Sequence, residues 1–285
     1  RAQPIIMDDY IFTLAENTIA ILSLQTGIIL GKYSVKTDSP MTESANIFAI
    51  RNNADDYSLI VPFSNGEIRR LDVKISKKQL EGKQVVDTIN ITQNWYYSLS
   101  TSSSLQEHSK LLTKDVTILG DSNPSLSDKL YVGFGTYSGQ LIVLDFSTGR
   151  PLSNGILDYR GSIGSGSGMT YKDFASIIVP VNSEVGSLLG VTVINGMLVN
   201  DNLTEDLHQE GLTAPTAYTI IDNPVYVEKT GILLMQDKTG TIIGYDTKNR
   251  ETAFKINKYR GTHTANAFSI NGKYVLITLA ENKNI

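Results

Sequence analysis

Residues 130–149 have the sequence LYVGFGTYSGQLIVLDFSTG, and this stretch decides the fold. It contains two apolar runs separated by a Gly-rich turn, and a second turn, Ser147-Thr148-Gly149, closes it. Short apolar runs bounded by turn residues are typical of buried β-strands. We therefore predict two strands here, joined as a hairpin.

The same pattern recurs along the chain. In each copy a Gly stands six positions before a marker residue, with an apolar run between them. The pairs are Gly66 and Asp72, Gly139 and Asp145, Gly186 and Thr192, and Gly240 and Asp246. The earlier segment IAILSLQTG, Ile19–Gly27, aligns with LIVLDFSTG, Leu141–Gly149, and puts Ser23 at the marker position. The markers are roughly 50 residues apart with one longer interval, which fits four-stranded repeat units with one oversized loop.

These repeats predict an all-β protein built of propeller-like, four-stranded blades. Leu141–Leu144 and Ile232–Met235 are apolar at every position, as in strands covered on both faces. A parallel β-helix is the alternative fold. We expect residues 1–285 to form a single repeat-built domain that ends partway through a repeat. Because Leu279-Ala280-Glu281-Asn282 repeats Leu14-Ala15-Glu16-Asn17, we also expect strands from both ends of the chain to share one sheet.

Individual segments give coarser predictions. Pro4–Leu14 and Thr18–Leu24 read as a strand pair, and Val85–Tyr97 as one or two strands. Lys77–Lys83 reads as a charged turn or short helix, and Ser98–Lys110 as a polar loop.

Composition excludes several classes of function. The net charge of −4 and the pI near 5.5 offer no basic surface for nucleic acid. No apolar run approaches the roughly 18 residues of a membrane span, so we expect none. The chain has no cysteine, which excludes disulfides and Cys-ligated metals.

The marker residues Asp72, Asp145 and Asp246 are each predicted to accept backbone N–H bonds in a tight turn. Calcium binding is the alternative, but the chain lacks the D-x-D-x-D-G spacing of a calcium loop, and we expect no metal. The Gly-rich segment Gly133–Gly139 precedes a predicted strand rather than a helix, so it is a hairpin loop rather than a dinucleotide site. No G-x-S-x-G elbow is present.

The stretches GQLIVLDFSTGRPL, Gly139–Leu152, and GTIIGYDTKNRETAF, Gly240–Phe254, resemble the repeat of quinoprotein-type (PQQ-like) β-propellers. In that repeat a Gly, an apolar strand, an Asp and a Thr-Gly turn are followed by a docking Trp. Here no such turn is followed by Trp, since the only Trp is Trp95. The resemblance therefore implies the non-enzymatic branch of the superfamily, which includes assembly lipoproteins, lumenal sensor domains and pilus-tip adhesins.

From this resemblance we expect a non-catalytic module for binding or cell-surface adhesion. It would act outside the cytoplasm as a rigid scaffold for a protein partner, with no cofactor. One alternative is an adhesin that binds a polysaccharide such as cellulose with an aromatic face. The other is a quinoprotein-like oxidoreductase, which would need pyrroloquinoline quinone and Ca²⁺.

The candidate binding residues are Trp95, Tyr96 and Tyr97, the densest aromatic cluster in the chain. Aromatic rings stack on sugars and are common hot spots of protein interfaces. A structural alternative stays open, in which Trp95 and Tyr97 pack inside while Tyr96 faces solvent.

Overall fold

Antiparallel strands dominate this computed structural model of the chain. It describes residues 4–15, 17–35, 47–63, 67–79, 85–99, 116–120, 124–126, 128–136, 138–158, 162–163, 167–171, 174–182, 187–200, 224–236, 241–256, 266–270 and 273–277. The repeat glycines Gly66, Gly186 and Gly240 and the predicted polar loop beyond Leu99 lie outside the described residues. The chain divides into two compact units, residues 1–116 and 117–285.

The first unit contains two four-stranded sheets, each with its strands in sequence order. The first sheet consists of β1 (Ile5–Met7), β2 (Tyr10–Ala15), β3 (Thr18–Ser23) and β4 (Ile29–Ser34). The second consists of β5 (Phe48–Arg51), β6 (Asp56–Pro62), β7 (Glu67–Gln79) and β8 (Val85–Ser98).

The second unit contains the remaining four sheets. The third sheet has β9 (Thr117–Gly120), β10 (Leu130–Gly135), β11 (Gln140–Asp145) and β12 (Pro151–Asp158), with a short 3₁₀ helix at Pro124–Leu126. The fourth has β13 (Ser162–Ile163), β14 (Ser167–Tyr171), β15 (Phe174–Asn182), β16 (Ser187–Ile194) and β17 (Met197–Asn200). The fifth has β18 (Val225–Val227), β19 (Ile232–Gln236), β20 (Ile242–Asp246) and β21 (Glu251–Ile256). The sixth has β22 (Asn266–Ile270) and β23 (Lys273–Ile277).

The repeated four-stranded sheets confirm the predicted all-β, propeller-type fold. Each of the described strand pairs is antiparallel, whereas a parallel β-helix would pair its coils in parallel.

The predicted sharing of a sheet by the two ends of the chain is wrong for the described strands. Both neighbours of β3 come from its own sheet, and β23 pairs with β22 in a separate sheet. The single-domain organisation stays a prediction.

Burial on both faces explains why the inner strands are continuously apolar. In β11, Leu141, Ile142, Val143 and Leu144 are all fully buried, although neighbouring side chains point to opposite faces. Leu59, Ile60 and Val61 of β6 are fully buried in the same way. Folding therefore removes apolar surface of these strands from water on both faces of the sheet rather than on one, and both faces contribute to stability.

One type of hairpin turn recurs in the first, third and fifth sheets. Its five residues are 23–27, 145–149 and 246–250, and in each case the N–H of the fifth residue donates to the carbonyl of the first, at 2.8–2.9 Å. The fifth residue has positive φ, namely +68° at Gly27, +68° at Gly149 and +61° at Arg250. The strand that follows each turn then carries a register shift. These are the features of a hairpin loop closed by a left-handed residue with a bulge.

The prediction for the marker residues is confirmed at two positions. Asp145 Oδ1 accepts from the N–H of Thr148 at 2.8 Å, and Asp246 Oδ1 accepts from the N–H of Lys248 at 2.9 Å and of Asn249 at 3.1 Å. These bonds hold the pKa of Asp246 below its ordinary value, with the backbone N–H of Asn249 as the main cause. At Asp72 the prediction is wrong, because this residue lies in the middle of β7 rather than in a turn.

Two further segments differ from the predictions. Lys77, Lys78 and Gln79 continue β7 as strand and pair with β8, so the predicted turn or helix Lys77–Lys83 is wrong for these three residues. Residues 80–83 lie outside the described residues. The backbone of these residues pairs with β8. Intrinsic strand propensity takes no account of such a partner strand. The predicted strand Pro4–Leu14 is divided by a two-residue turn at Asp8-Asp9, where Asp8 has φ +51°.

The Asp8 turn is fixed by the second sheet. The Tyr57 hydroxyl donates to Asp8 Oδ2 at 2.8 Å, and Arg51 Nη1 lies 3.2 Å from Asp8 Oδ1. Tyr57 is only 1% exposed. Burial, followed by the hydrogen bond to Asp8, raises the pKa of its hydroxyl well above the ordinary value. The contact joins the first and second sheets beside their shared core of Phe12, Ile21 and Leu59.

The recurring turn predicts opposite effects for two matched substitutions. At Gly27 a Cβ would meet nothing within 4 Å, so Gly27→Ala tests the backbone conformation alone. It should lower the free energy of unfolding by about 1–2 kcal/mol, the cost of a left-handed non-glycine residue. Arg250→Gly removes that cost and should leave stability unchanged or raise it. Urea unfolding of both variants measures the difference; a destabilising Arg250→Gly would contradict this account of the turn.

Candidate binding surface on the second sheet

The three predicted site residues lie together near the end of β8, opposite the start of β7. In the register, Ile68 faces Tyr97, Arg69 faces Tyr96 and Arg70 faces Trp95. Cross-strand pairs of this kind bring side chains within contact distance. The aromatic cluster therefore lies against the basic pair Arg69-Arg70.

Trp95 and Tyr97 pack inward, whereas Tyr96 faces solvent. Trp95 is 8% exposed and Tyr96 is 60% exposed, while Tyr97 is half-buried. Burial raises the pKa of the Tyr97 hydroxyl. This placement matches the structural alternative, in which the strand alternates its faces. A binding role for the three residues stays a prediction, and Tyr96 is the residue whose ring is available to a partner.

Arg69 contacts the Tyr96 ring. Its guanidinium carbon lies 5.9 Å from the centroid of the Tyr96 ring and 5.3 Å from that of Phe63, both within cation–π range. Arg69 Nη2 donates to Glu67 Oε2 at 2.8 Å, and Nη1 donates to Gln93 Oε1 at 2.9 Å. The Arg69 side chain is only 13% exposed. A guanidinium with four contacts loses little further entropy on binding, and it gives the exposed Tyr96 ring an ordered neighbour.

A β-bulge at Asn94 makes this arrangement possible. Arg70 pairs with Trp95 but Leu71 pairs with Gln93, so Asn94 is the extra residue of β8. Bulges re-aim the side chains beside them. Without the extra residue, strict alternation would put Gln93 and Tyr96 on opposite faces of the sheet. With it, both side chains contact the same guanidinium.

The bulge is anchored by a polar network on Asp72. Asn94 Nδ2 donates to Asp72 Oδ2 at 2.6 Å, while Arg70 Nε and Ser58 Oγ donate to Oδ1, each at 2.9 Å. Asn52 Nδ2 in turn donates to Ser58 Oγ at 2.9 Å, and Ser58 is fully buried. Buried polar groups need such partners. The carboxylate that looked like a turn marker therefore fixes three strands of the second sheet.

A cleft of about 290 Å³ lies beside this network. Its lining residues are Asn52, Asp56, Tyr57, Asp72, Val73, Lys74, Asn90 and Thr92. In the part of the chain that the structure describes, no three His, Asp or Glu side chains come together as a metal site.

Sequence reasoning missed Arg69 and Asn94. Two adjacent arginines, Arg69-Arg70, are a visible feature of the sequence and could have drawn attention. The contact of Arg69 with Tyr96 depends on the register of β7 and β8, however, and the bulge sets that register. A bulge leaves no simple sequence pattern when the extra residue is Asn rather than Gly.

No family model and no curated protein matches the chain. Among solved structures, BamB from Moraxella catarrhalis matches with a TM-score of 0.53 and 15% identity, over 96% of this chain and 68% of that one. The Cps50 (Swd1) β-propeller domain of Myceliophteria thermophila matches with a TM-score of 0.50 and 10% identity, over 89% and 71%. BBS1N in complex with ARL6DN matches with a TM-score of 0.54 and 10% identity, over 94% and 71%. The chain thus has the fold of β-propeller proteins.

The placement of the aromatic residues predicts unequal effects on stability. Trp95→Ala should cost about 3–5 kcal/mol of unfolding free energy, because it empties a buried site. Tyr96→Ala should cost less than about 1 kcal/mol, because most of its ring is already in water. Urea unfolding measures both, and the emission of the single Trp should be blue-shifted and resistant to acrylamide. Equal costs for the two variants would contradict the assigned burial.

Proposed function

We propose that the chain is a non-catalytic scaffold that binds a protein partner through the surface around Tyr96. The observation that carries this proposal is that the Tyr96 ring is 60% exposed and also contacts the guanidinium of Arg69. Large exposed aromatics that are already ordered bind at low entropic cost. Tyr and Arg are also the residue types enriched at interface hot spots.

The surroundings of Tyr96 suit a partner with both apolar and polar groups. Glu67 and Gln93 both accept hydrogen bonds from Arg69, so polar side chains neighbour the guanidinium that contacts the ring. A polar rim around an aromatic anchor is the usual anatomy of a protein interface.

The fold supports a scaffold role. BBS1N, one of the matching propellers, is in complex with the protein ARL6DN. Sheets joined by short turns give a rigid frame whose surface can vary without altering the core. By the sequence resemblance, we assign the chain to the non-enzymatic branch of the PQQ-like propellers.

We further propose that the protein works outside the cytoplasm, as that branch does. Fractionation of cells that carry a tagged chain tests this part alone. Recovery of the folded protein from the cytosol would contradict it without affecting the binding surface.

Photo-crosslinking tests the binding surface. The photoreactive residue p-benzoylphenylalanine replaces Tyr96, and, as a matched control, Met197, which is 49% exposed in the second unit. In cells that make the protein, the probe at position 96 should give a discrete protein adduct that excess unlabelled chain removes. The probe at position 197 should give none.

Competition then measures the energy of the contact. Loss of a hot-spot Tyr costs about 2 kcal/mol, so Tyr96→Ala should compete roughly 30-fold more weakly than the unchanged chain. Met197→Ala should compete as well as the unchanged chain. Equal competition by Tyr96→Ala would overturn the proposal. A glycan-array or cellulose signal that depends on Tyr96, with no protein adduct, would favour the polysaccharide alternative instead.

A further inference from the structure

The outer strand of the second sheet is unusually long and is paired on one side. β8 contains 14 residues, whereas the outer strands β4, β12, β17 and β21 contain four to eight. Within the described part of the chain, β7 is the strand that pairs with β8, and no strand pairs with its other side. The outer side of an edge strand can hydrogen-bond to a strand of another chain.

This edge lacks the features that commonly prevent strands from pairing with other chains. Proteins protect exposed edges with short strands, with Lys or Pro, and with bulges. β4 carries Lys32, β12 begins at Pro151, and β21 carries Lys255. The segment Thr88–Gln93 contains no charged residue and no Pro, and the bulge comes only after it, at Asn94. This segment is therefore suited to pair with a further strand.

The sequence of the same segment is symmetric. Residues 88–92 are Thr-Ile-Asn-Ile-Thr, which reads the same in both directions. When two copies of β8 pair antiparallel about Asn90, each side chain faces one of its own type: Asn90 faces Asn90, Ile89 faces Ile91, and Thr88 faces Thr92. Pairs of β-branched side chains, and pairs that hydrogen-bond to each other, stabilise antiparallel strands. A self-complementary contact of this kind is what a two-fold homodimer requires.

The side chains on both faces of the segment fit this pairing. Thr88, Asn90 and Thr92 are exposed and lie on one face, so their polar groups stay in water when the strand edges join. Ile89 and Ile91 lie on the other face and pack partly against the core of the first and second sheets. Pairing places Ile89 of each copy beside Ile91 of the other, which removes further apolar surface from water.

We propose that the chain forms a two-fold homodimer in which two copies of β8 pair antiparallel about Asn90. The two second sheets then join into one continuous sheet with four strands from each copy. Just outside the symmetric segment, Asp87 faces Gln93 of the second copy, so no like charges stand opposite each other there. The paired segment precedes the bulge at Asn94, so the dimer contact is separate from the Tyr96 surface.

One strand pair is a small interface, so the dimer should depend on concentration. We expect a dissociation constant on the order of 10 μM, because a single strand pair buries less than the roughly 1,600 Å² of a standard interface. Sedimentation equilibrium measures it. Asn90→Lys puts two ammonium groups opposite each other and should leave only monomer, with an unchanged midpoint of urea unfolding. A monomeric unchanged chain at roughly ten times that concentration, or a dimer that persists in Asn90→Lys, would overturn the proposal.

Disulfide formation tests the register, because the chain has no cysteine and each introduced thiol is unique. Asn90→Cys places the two thiols opposite each other on the two-fold axis, within the distance that a disulfide spans. Thr88→Cys and Thr92→Cys are matched controls, since both positions are exposed on the same face of the strand. In the dimer each of these two thiols is about 13 Å along the strand from its own counterpart, too far for a disulfide.

In a glutathione redox buffer, Asn90→Cys should form a disulfide-linked dimer at least roughly tenfold faster than either control, because pairing raises the effective concentration of its thiols. Thr88→Cys alone and Thr92→Cys alone should stay monomeric on a non-reducing gel, whereas a mixture of the two should cross-link. Equal cross-linking of the three single variants would overturn the proposal, since it would indicate random collision. Absence of a cross-link in Asn90→Cys, or in the mixture, would overturn it as well.

Discussion

Burial of the inner strands on both faces is the constraint on which the rest of the structure depends. Val132 and Leu144 of the third sheet and Leu233 and Tyr245 of the fifth are all completely buried. A strand in this position cannot alternate polar and apolar residues, so its sequence becomes continuously apolar. Polar residues are more frequent in outer strands such as β12 and β21, whose residues are mostly exposed. The inner strand β7 is an exception, because Arg70 and Asp72 make it polar on one face. Tyr96 likewise lies on an outer strand, because β8 is at the edge of the second sheet.

The turns between inner and outer strands are defined by backbone geometry rather than by one residue type. Ser23, Asp145 and Asp246 all begin the same five-residue turn, and the left-handed residue at its end is Gly in two copies and Arg in the third. The fourth sheet instead uses a two-residue turn, Asn195-Gly196, with φ of +54° and +72°. Turns of different sequence therefore connect equivalent strands in different sheets. The residues of these turns can differ between repeats without a change in the fold.

The fold class could be predicted from the sequence because its causes are local. Apolar runs, Gly-rich turns and the spacing of the markers Asp145 and Asp246 each correspond to a hydrogen-bonded feature. The misread elements depend on distant partners. Asp8 breaks a strand where Tyr57 and Arg51 hold its carboxylate, and Asp72 binds Ser58 and Asn94 from neighbouring strands. The candidate site was found only in part for the same reason. An aromatic cluster is visible in the sequence, but which ring faces solvent depends on the bulge at Asn94 and the position of Arg69.

Hydrogen exchange of the native protein tests the role of two-faced burial most directly. Amides that pair within the sheet should exchange slowest in β11 and β20, where both faces are buried, and should do so only through global unfolding. Paired amides of the outer strands β12 and β21 should exchange through smaller, local openings. The amides of β3 should fall between these groups, because one face of the first sheet is partly open. Equal protection in the inner and outer strands would contradict the account.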